Sequence, residues 1–521
     1  MRRDQTRASP IRSFHVNGST HTDSRPSPDP SRRDSAPDAP DPRSLYASPL
    51  SGRYASRAMQ AIWSERRKFE TWRAIWAALA RAQHELGLPV SADQAAALEA
   101  RLAMTEDDFR RAADHERKLR HDVMAHVHAL GDAAPQARGV IHLGATSQDI
   151  NCNTEIPLIR EALRLVCART ARVIAALADL AEQHADLPCL GFTHYQPAQP
   201  TTVGKRAAMW GSELALCLEH AEDALARLRL RGLKGATGTQ ASFLGLCRGD
   251  AATVAELERR VARALGWDES DLLIAVGQTY PRAVDAIVLS ALACIAASLH
   301  KCATDVRLLC NLKELDEPFE KHQIGSSAMP YKRNPMRCER ICGLSRWVIS
   351  AASSAYDTAA VQWLERSLDD SANRRLSLPE AFLALDGCLE LAHNVFAGLI
   401  VHEGAVRRNL AQEMPFLASE DLMLAAAALG RDRQQVHEAI RTLAQETALD
   451  IKDRGEPNTL LEKLAREPLL AGVDLSRALD PSRAVGLAPQ QARRWAAEVA
   501  GPVRRRYQEQ WGTLGDSAPS V

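Results

Sequence analysis

The segment QIGSSAMPYKRNP, residues 323–335, places hydroxyl, cationic and amide side chains within one Gly- and Pro-rich stretch. Its candidate functional groups are Ser326, Ser327, Lys332, Arg333 and Asn334. A serine acts as a base only where nearby cations and N–H donors stabilise its alkoxide, and this segment contains such groups. Loops also collect Gly, Ser and Pro because the chain must turn. The composition leaves both interpretations open, a catalytic loop and a connector between helices.

A histidine occurs in GFTHYQPAQPTTVGKR, a polar stretch between two predicted helices. His194 lies in this Pro-bounded loop and not on an apolar helix face. A histidine in such a loop can donate or accept a proton near neutral pH. A histidine packed within the protein core is the alternative, and the sequence leaves it open.

The segment RHDVMAHVH begins with three charged or titratable residues. Arg120, His121 and Asp122 together suit the binding of a phosphate or a carboxylate, and an exposed helix start is the alternative. His121 and His128 would share a helix face, but this spacing has no established zinc geometry, so we expect no metal.

The segment HLGATSQDINCNTE, residues 142–155, carries hydroxyl and carboxylate side chains. Thr146 and Ser147 either bind a carboxylate near a helix N-terminus or simply cap the helix that follows. Pro157 suits the first turn of a helix, so we expect that helix to begin there.

The segment WLERSLDDSANRR concentrates opposite charges. Its arginines Arg366, Arg374 and Arg375 suit a phosphate, because a guanidinium binds two phosphate oxygens at once. The neighbouring Asp369 and Asp370 support the alternative, a surface network of salt bridges.

Long amphipathic helices separate these segments. Apolar residues recur every three or four positions over residues 159–180, 214–228 and 284–309, which predicts long helices packed side by side. Rods of this length cannot bury their apolar faces alone, so we expect a bundle and an oligomer. Strand-like alternation is scarce.

These patterns predict an all-α protein of three helical domains with a central long-helix bundle. We expect a disordered N-terminal tail over residues 1–43, because this stretch is rich in Arg, Ser, Pro and Asp and has no apolar core of a signal peptide. The N-terminal helical domain is predicted over residues 44–146, the central bundle over 147–401 and a C-terminal helical domain over 402–521.

The composition argues against several classes of protein. Lys+Arg and Asp+Glu both number 65, and this zero net charge disfavours a nucleic-acid-binding protein. The most apolar run, residues 286–299, is about fourteen residues long, which is too short to span a membrane. The 11 cysteines form no CxxC pair. This pattern indicates free thiols in a reducing compartment, so we expect a cytoplasmic protein.

Three segments, TSQDIN, GFTHYQPAQPTT and GSSAMPYKRNP, resemble in this order the signature regions of the fumarase/aspartase superfamily of lyases. RYAS, RHDVMAHVH, GQTY and LDDSANRR are most similar to its animal-type members that act in purine biosynthesis. The resemblance covers the chain from about residue 44 onward. It implies elimination of fumarate from small-molecule purine nucleotide substrates, adenylosuccinate and succinylaminoimidazole carboxamide ribotide. It also implies a homotetramer with active sites shared between subunits, and no metal or redox cofactor.

The resemblance further implies roles for individual residues. Ser326 would be the catalytic base, with the adjacent Ser327 as the alternative. His194 would be the general acid, oriented by Glu339. His121 would help to place the substrate. The remaining implied site residues are Lys332, as a catalytic cation, and the substrate-binding residues Arg53, Tyr54, Arg120, Asp122, Thr146, Ser147, Gln278, Asn334, Arg340, Arg366, Ser371 and Arg375.

One stretch departs from the animal-type pattern. QDINCNTE, residues 148–155, is nearer to the general superfamily form, so the sequence defines the preference between the two substrates less well than the reaction. Another fumarate-releasing lyase of the superfamily is the alternative, although such enzymes usually lack RHDVMAHVH and LDDSANRR. A non-catalytic structural protein on this fold is a further alternative. The joint presence of Ser326, Lys332, His194 and Glu339 argues against it.

Overall fold

The computed structural model describes residues 42–514. The chain divides into two compact units, residues 1–47 and 48–521. In the first unit the described residues include a short helical turn at Pro42–Ser44. Most of the predicted tail over residues 1–43 lies outside the described residues. All elements discussed below belong to the second unit.

The N-terminal part of the second unit is built from five helices. They are α1 (Arg57–Ile62), α2 (Glu65–Glu85), α3 (Ala92–Glu99), α4 (Glu106–Leu119) and α5 (Asp122–Ala133), with short turns at Leu50–Tyr54 and Pro135–Val140. A Ser or Thr directly precedes each of α1 to α4, and its side chain accepts a free backbone N–H of the first turn. Trp72 and Trp76 of α2 pack in the core that these helices share.

The longest helix, α6 (Ser147–Gln183), begins at Ser147, so the expectation that it begins at Pro157 is wrong. The carboxylate of Asp149 accepts a hydrogen bond of 2.8 Å from the backbone N–H of Thr146, and this bond caps the start of the helix. Pro157 lies inside the helix and removes one backbone hydrogen bond. Packing supplies most of the stability of a buried helix, so α6 continues through the proline. The interpretation of HLGATSQDINCNTE as a helix cap is confirmed.

The middle of the chain forms a bundle of long helices. After α6 come β1 (Pro188–Thr193), β2 (Gln196–Thr202), α7 (Val203–Ala226), α8 (Ala241–Leu246), α9 (Ala251–Ala264), a short turn at Glu269–Asp271, α10 (Ala283–Asn311), β3 (Leu315–Asp316), α11 (Met336–Ala360) and α12 (Asp369–Ala397). Helices α6, α7, α10, α11 and α12 share one large apolar core, and the predicted apolar seams of α6, α7 and α10 lie in it. The predicted all-α fold with a central long-helix bundle is therefore confirmed.

Within residues 42–514, one helix, α10, is long and apolar enough to cross a membrane by length and composition. Its most apolar window has a mean hydropathy of 1.9 and is 56% buried inside the structure. The position of α10 in the bundle explains this composition, because a core helix must be apolar on most of its sides.

The C-terminal part consists of shorter helices. It contains β4 (Ile400–Val401), α13 (Glu403–Leu417), α14 (Ser419–Ala428), α15 (Arg433–Arg454), α16 (Leu460–Ala465), a turn at Pro468–Leu470, α17 (Leu475–Ala478), α18 (Pro481–Ala484), α19 (Ala488–Trp495), a turn at Ala496–Ala500 and α20 (Gly501–Trp511). Helices α14 to α17 contribute to a small core of their own, whereas side chains of α19 and α20 join the core of the bundle. The predicted domain boundaries at residues 146 and 401 stay a prediction.

Two small antiparallel sheets lie beside the bundle. β1 pairs with β2 in a hairpin, and β3 pairs with β4, which follows α12. The hairpin turn consists of His194 and Tyr195, whose φ angles are 52° and 55°. Positive φ at both central residues is the geometry that matches the twist of a two-residue hairpin. The backbone therefore holds His194 at the tip of this hairpin.

Candidate active site

One group of predicted residues lies at the N-terminal end of α6, and we call it the arginine end. Its members are His121, Asp122, Thr146, Ser147, Gln278, Arg366, Ser371 and Arg375. His121 caps α5, and its Nδ1 accepts the backbone N–H of Met124 at 3.4 Å. The Nε2 of His121 lies 3.4 Å from the hydroxyl of Ser147, the first residue of α6. With Nδ1 as an acceptor, the neutral ring carries its proton on Nε2 and directs it towards Ser147.

The first charged pair of the arginine end joins α5 to α12. Arg375 donates a hydrogen bond of 2.7 Å to the carboxylate of Asp122. Burial by itself raises the pKa of Asp122, but the hydrogen bond and charge of Arg375, together with the Val123 N–H, outweigh it and hold that pKa below its ordinary value. Asp122 is therefore ionised at neutral pH and orients Arg375.

A second contact brings Gln278 to Arg366. The backbone N–H of Gln278 donates to the carbonyl of Glu365 at 3.0 Å, and Arg366 Nη1 lies 3.5 Å from Oε1 of Gln278. A Cβ on Gly277 would lie 2.5 Å from the carbonyl oxygen of Glu365, so this approach of two backbones requires glycine. Gly277 thus allows the Gln278 and Arg366 side chains to meet.

Behind these residues lies a buried network of ion pairs. Arg282 donates to Asp370 at 2.7 Å, and Arg374 donates to Asp285 at 2.6 Å and to Glu155 at 2.8 Å. Arg374 is 6% exposed and Asp370 is 1% exposed. The salt-bridge interpretation of WLERSLDDSANRR is therefore correct for Arg374 and Asp370, but the network is buried and not on the surface.

A cavity of about 160 Å³ opens at the arginine end. The predicted Arg366, Ser371 and Arg375 contribute to its lining. Further polar residues that the sequence interpretation missed also line it, among them Lys68, Gln148, Asn151 and Arg282. Gln148 and Asn151 belong to QDINCNTE and could have been included with Thr146 and Ser147, because they follow on the same helix. The sequence holds no comparable signal for Lys68, which lies on an amphipathic helix that also carries many surface charges.

The second group of predicted residues lies around the hairpin and the signature segment, and we call it the loop end. Its members are His194, Ser326, Lys332, Asn334, Glu339 and Arg340. The backbone N–H of Met329 donates to the hydroxyl of Ser326 at 3.2 Å, and Asn334 donates to the carbonyl of Gly325 at 2.8 Å. A Cβ on Gly325 would lie 2.3 Å from the carbonyl oxygen of Lys332. The loop therefore folds back on itself where only glycine fits.

Most side chains of the loop end face solvent. His194, Ser327, Lys332 and Glu339 are exposed, and Ser326 is half-buried. In the part of the chain that the structure describes, no hydrogen bond joins His194 to Glu339 or to Ser326. The predicted pairing of acid and orienting carboxylate is thus not formed within one chain.

Long helices separate the two ends. Helix α6 has 37 residues, which corresponds to a length of about 55 Å. Ser147 begins this helix, and the hairpin of His194 follows its other end. Each strand of the hairpin spans only about 20 Å. His194 and Ser147 of one chain therefore lie far beyond the reach of a single substrate.

The same separation applies to the signature loop. Cys388 of α12 contacts the carbonyl of Ile341 in α11, and Gly398 lies against Pro318. The beginning of α11, where the loop ends, is therefore near the end of α12. Arg375 lies in the second turn of α12, roughly 25 to 30 Å away along the helix.

The remaining predicted residues fall in two places. Arg120 ends α4 with a φ of 55° and directly precedes His121 at the arginine end. Arg53 and Tyr54 lie in the turn at Leu50–Tyr54, where the backbone of Tyr54 packs against Gly387 of α12. This position is about 18 Å from Arg375 along α12. Arg53 and Tyr54 thus belong to neither end of the bundle.

Comparisons with known proteins agree with this architecture. A family profile described as lyase matches residues 44–350, and one described as adenylosuccinate lyase C-terminus matches residues 415–495. The chain is 46% identical to adenylosuccinate lyase of Saccharomyces cerevisiae over 467 residues, which are 89% of this chain and 96% of the relative. The chain belongs to the adenylosuccinate lyase family.

Two further matches extend the comparison within and beyond the family. The adenylosuccinate lyase of Schistosoma mansoni is 43% identical and is matched over 89% of this chain and 97% of its own length. The crystal structure of fumarate lyase from Mesorhizobium sp. BNC1 has a TM-score of 0.74 at 27% identity and covers 87% of this chain and 100% of its own. The resemblance to the fumarase/aspartase superfamily is confirmed, and within it the animal-type similarity identified the adenylosuccinate lyase family.

Proposed function

We propose that the protein eliminates fumarate from adenylosuccinate to give AMP, and from succinylaminoimidazole carboxamide ribotide to give the aminoimidazole carboxamide ribotide. The observation that carries the proposal is the 46% identity to a yeast adenylosuccinate lyase over 96% of its length. The arginine end supports it, because both substrates carry a phosphate that a cavity lined by arginines would bind.

The elimination needs one base and one acid. Ser326, as an alkoxide, takes the proton from the carbon beside a succinyl carboxylate, with Ser327 as the alternative base. The electrons of that C–H bond become the double bond of fumarate as the C–N bond breaks. The nitrogen keeps the electrons of the C–N bond and takes a proton from His194, which Glu339 orients. Lys332 and the loop N–H groups stabilise the extra negative charge on the carboxylate.

The other predicted residues hold the substrate. His121, Thr146, Ser147 and Asn334 surround the succinyl carboxylates, where the contact of 3.4 Å between His121 and Ser147 supports a shared site. The residues proposed for the phosphoribosyl and purine portions are Arg53, Tyr54, Arg120, Asp122, Gln278, Arg340, Arg366, Ser371 and Arg375. Their guanidinium groups suit a dianionic phosphate.

The active site is shared between subunits of a homotetramer. The separation of the arginine end from the loop end supports this, because one chain cannot place His194 and Ser326 beside a substrate held by Arg375. The bundle helices also expose large apolar side chains, including Leu216, Trp347, Tyr356 and Leu376. Apolar faces of this kind on long helices fit burial against other copies of the chain.

The cellular setting and the domain division complete the proposal. The protein acts in the cytoplasm, which is supported by its 11 free cysteines, because such thiols persist in a reducing compartment. Its three helical domains meet near residues 146 and 401.

The test is the release of fumarate from adenylosuccinate, followed by the change in absorbance of the purine. We expect turnover by the purified protein without added cofactor. His194→Ala and Ser326→Ala should each lower kcat by about 10²- to 10⁴-fold. Unchanged thermal unfolding of both variants would separate lost chemistry from lost folding.

Ser327→Ala is the matched control for the base, because it removes a hydroxyl one position away. It should retain most of the activity if Ser326 takes the proton. The reverse result, with only Ser327→Ala inactive, would move the base to the neighbouring residue. Absence of fumarate at micromolar enzyme would contradict the proposed function itself.

A further inference from the structure

The cavity at the arginine end contains more positive charges than its carboxylate neighbours balance. Five cationic side chains line it, and every arginine among them donates a hydrogen bond to a carboxylate. The pairs are Arg282 with Asp370 at 2.7 Å, Arg366 with Asp370 at 3.3 Å, Arg374 with Asp285 at 2.6 Å and Arg375 with Asp122 at 2.7 Å. The fifth cation is Lys68. With Glu155, which also pairs with Arg374, the four carboxylates Asp122, Asp285, Asp370 and Glu155 balance the four arginines and leave no negative charge among the described residues of the site to balance Lys68.

Lys68 differs from these arginines in its surroundings. In the part of the chain that the structure describes, no carboxylate forms an ion pair with it, and its Nζ lies over the rings of Phe69 and Trp72 at 5.2 and 5.0 Å. Burial lowers the pKa of Lys68, and the charge of Arg375 lowers it further, while Asp122 and Glu155 act in the opposite direction. The ammonium is thus partly desolvated and keeps N–H donors without an acceptor.

The bottom of the cavity also has unused polar groups. Arg282 is 4% exposed and Thr154 is 1% exposed. Neither Nη1 of Arg282 nor Oγ1 of Thr154 has a hydrogen-bond partner among residues 42–514, although both residues line the cavity. Buried polar groups without partners are costly, so their presence around one cavity indicates that a ligand or its bound water supplies the partners.

We propose that Lys68 is an additional substrate-binding residue whose ammonium contacts the phosphate of the nucleotide, and that it supplies the uncompensated positive charge of this site. The inference rests on the proposed function and deepens it. A phosphate monoester carries close to two negative charges at neutral pH, whereas Arg366 and Arg375 already share their charge with Asp370 and Asp122. Among the cations that line the cavity, Lys68 is the one that has no carboxylate partner within the described residues, so its charge is available to the phosphate.

The experiment compares two substrates that differ only in the phosphate, adenylosuccinate and its dephosphorylated nucleoside. The variant is Lys68→Met, which keeps the length of the side chain and removes the charge. We expect kcat/KM for the nucleotide to fall roughly 10- to 100-fold, as for the loss of one charged hydrogen bond. The value for the nucleoside should stay unchanged, so the preference for the phosphorylated substrate falls by the same factor.

Two controls and one substitute variant complete the design. Lys68→Arg keeps the charge and should keep most of the preference for the nucleotide. Lys452→Met removes an exposed lysine of α15 and should change neither substrate. If Lys68→Met does not fold, Lys68→Gln is measured in the same way. An equal loss for both substrates, or no loss for either, would overturn the inference, because it would make Lys68 structural or irrelevant.

Free phosphate provides a readout that does not depend on turnover. Inorganic phosphate should raise the thermal unfolding temperature of the unmodified protein and of Lys68→Arg. It should raise the unfolding temperature of Lys68→Met much less. If the unmodified protein released no fumarate, the proposed function would fail, while this binding measurement would still test Lys68. An equal phosphate effect on all three proteins would reject the role of Lys68.

Discussion

The arginine end and the loop end of the bundle differ in how complete they are within one chain. At the arginine end, the arginines that line the cavity have carboxylate partners, and several of these pairs are buried, such as Arg282 with Asp370. At the loop end, His194, Lys332 and Glu339 are exposed at a hairpin tip, in a loop and on the first turn of a helix. Within one chain the cavity at the arginine end is formed, whereas the residues proposed for proton transfer lie apart from it.

The difference has a physical cause. A buried arginine is tolerated only when a carboxylate compensates its charge, so a phosphate site made of arginines requires a rigid network behind it. A base and an acid must instead meet the substrate closely and leave water behind, which a mobile loop or a neighbouring subunit can achieve on binding. Under the proposed function, folding of one chain forms the phosphate site, whereas assembly of subunits brings the proton-transfer groups to it.

The largest expected effect comes from mixing chains that are damaged at opposite ends. Arg375→Ala and Ser326→Ala should each be poorly active alone, with Ser326→Ala about 10²- to 10⁴-fold below the unmodified protein. If the active sites are shared as proposed, some sites in mixed oligomers combine an intact arginine end from one chain with an intact loop end from another. Activity after subunit exchange should therefore rise well above that of either variant.

Mixing two variants of the same end is the control for this experiment. Ser326→Ala with His194→Ala distinguishes whether these two groups come from one subunit or from two. If the mixture of Arg375→Ala and Ser326→Ala shows only the sum of its parts, each site lies within one chain and the comparison of the two ends loses its functional meaning.

A smaller effect is expected on stability. Asp370→Ala removes the carboxylate that accepts the hydrogen bond of the buried Arg282 guanidinium and leaves, among the described residues, only Glu155 at 4.0 Å, which should cost about 3 to 5 kcal/mol. Asp316→Ala at the loop end removes a half-buried carboxylate that lies 2.9 Å from His402 Nε2 and 4.0 Å from Arg333, and should cost at most about 1 kcal/mol. Thermal unfolding at one protein concentration compares them. Equal losses would show that the arginine end is no more rigidly built than the loop end.

The smallest effect concerns acid sensitivity. His126 stacks on Phe69 at 3.8 Å, next to Lys68 at the arginine end. Burial, together with the charges of Arg73 and Lys68, lowers the pKa of His126 from 6.5 to about 4. Between these two pH values the unfolded chain binds a proton at His126 and the folded protein does not. The free energy of unfolding therefore falls as the pH decreases from about 6.5 towards 4.

Replacing this histidine tests the acid sensitivity directly. His126→Phe keeps a ring for the stack and cannot be protonated, so it should remove up to about 3 kcal/mol of the loss between pH 6.5 and 4. His437→Phe, at an exposed position of α15, is the control and should leave the pH dependence of unfolding unchanged. An unchanged pH dependence in His126→Phe would show that its burial does not govern acid unfolding.

The apolar spacing predicted the bundle well, because a period of three to four residues places Leu292, Ile295 and Leu299 on one side of α10 whatever the neighbours are. The beginning of α6 was mistaken because Pro157 was interpreted by local preference, while packing decides whether a long helix tolerates a proline. Spacing also predicts which segments carry chemistry. The spacing contained no information on which end of the bundle each segment reaches. It also did not indicate that, among the described residues, Lys68 lacks a carboxylate partner while Arg375 has one.

The length of helix α6 limits which changes of sequence the protein can tolerate. Its 37 residues connect Ser147 to the hairpin of His194 without a break. Inserting one residue would lengthen the helix by about 1.5 Å and turn everything beyond it by about 100°. A substitution on α6 alters one contact, but an insertion or deletion would shift the hairpin of His194 relative to Ser147. The length of the helix, more than any single side chain along it, is the quantity that selection must preserve.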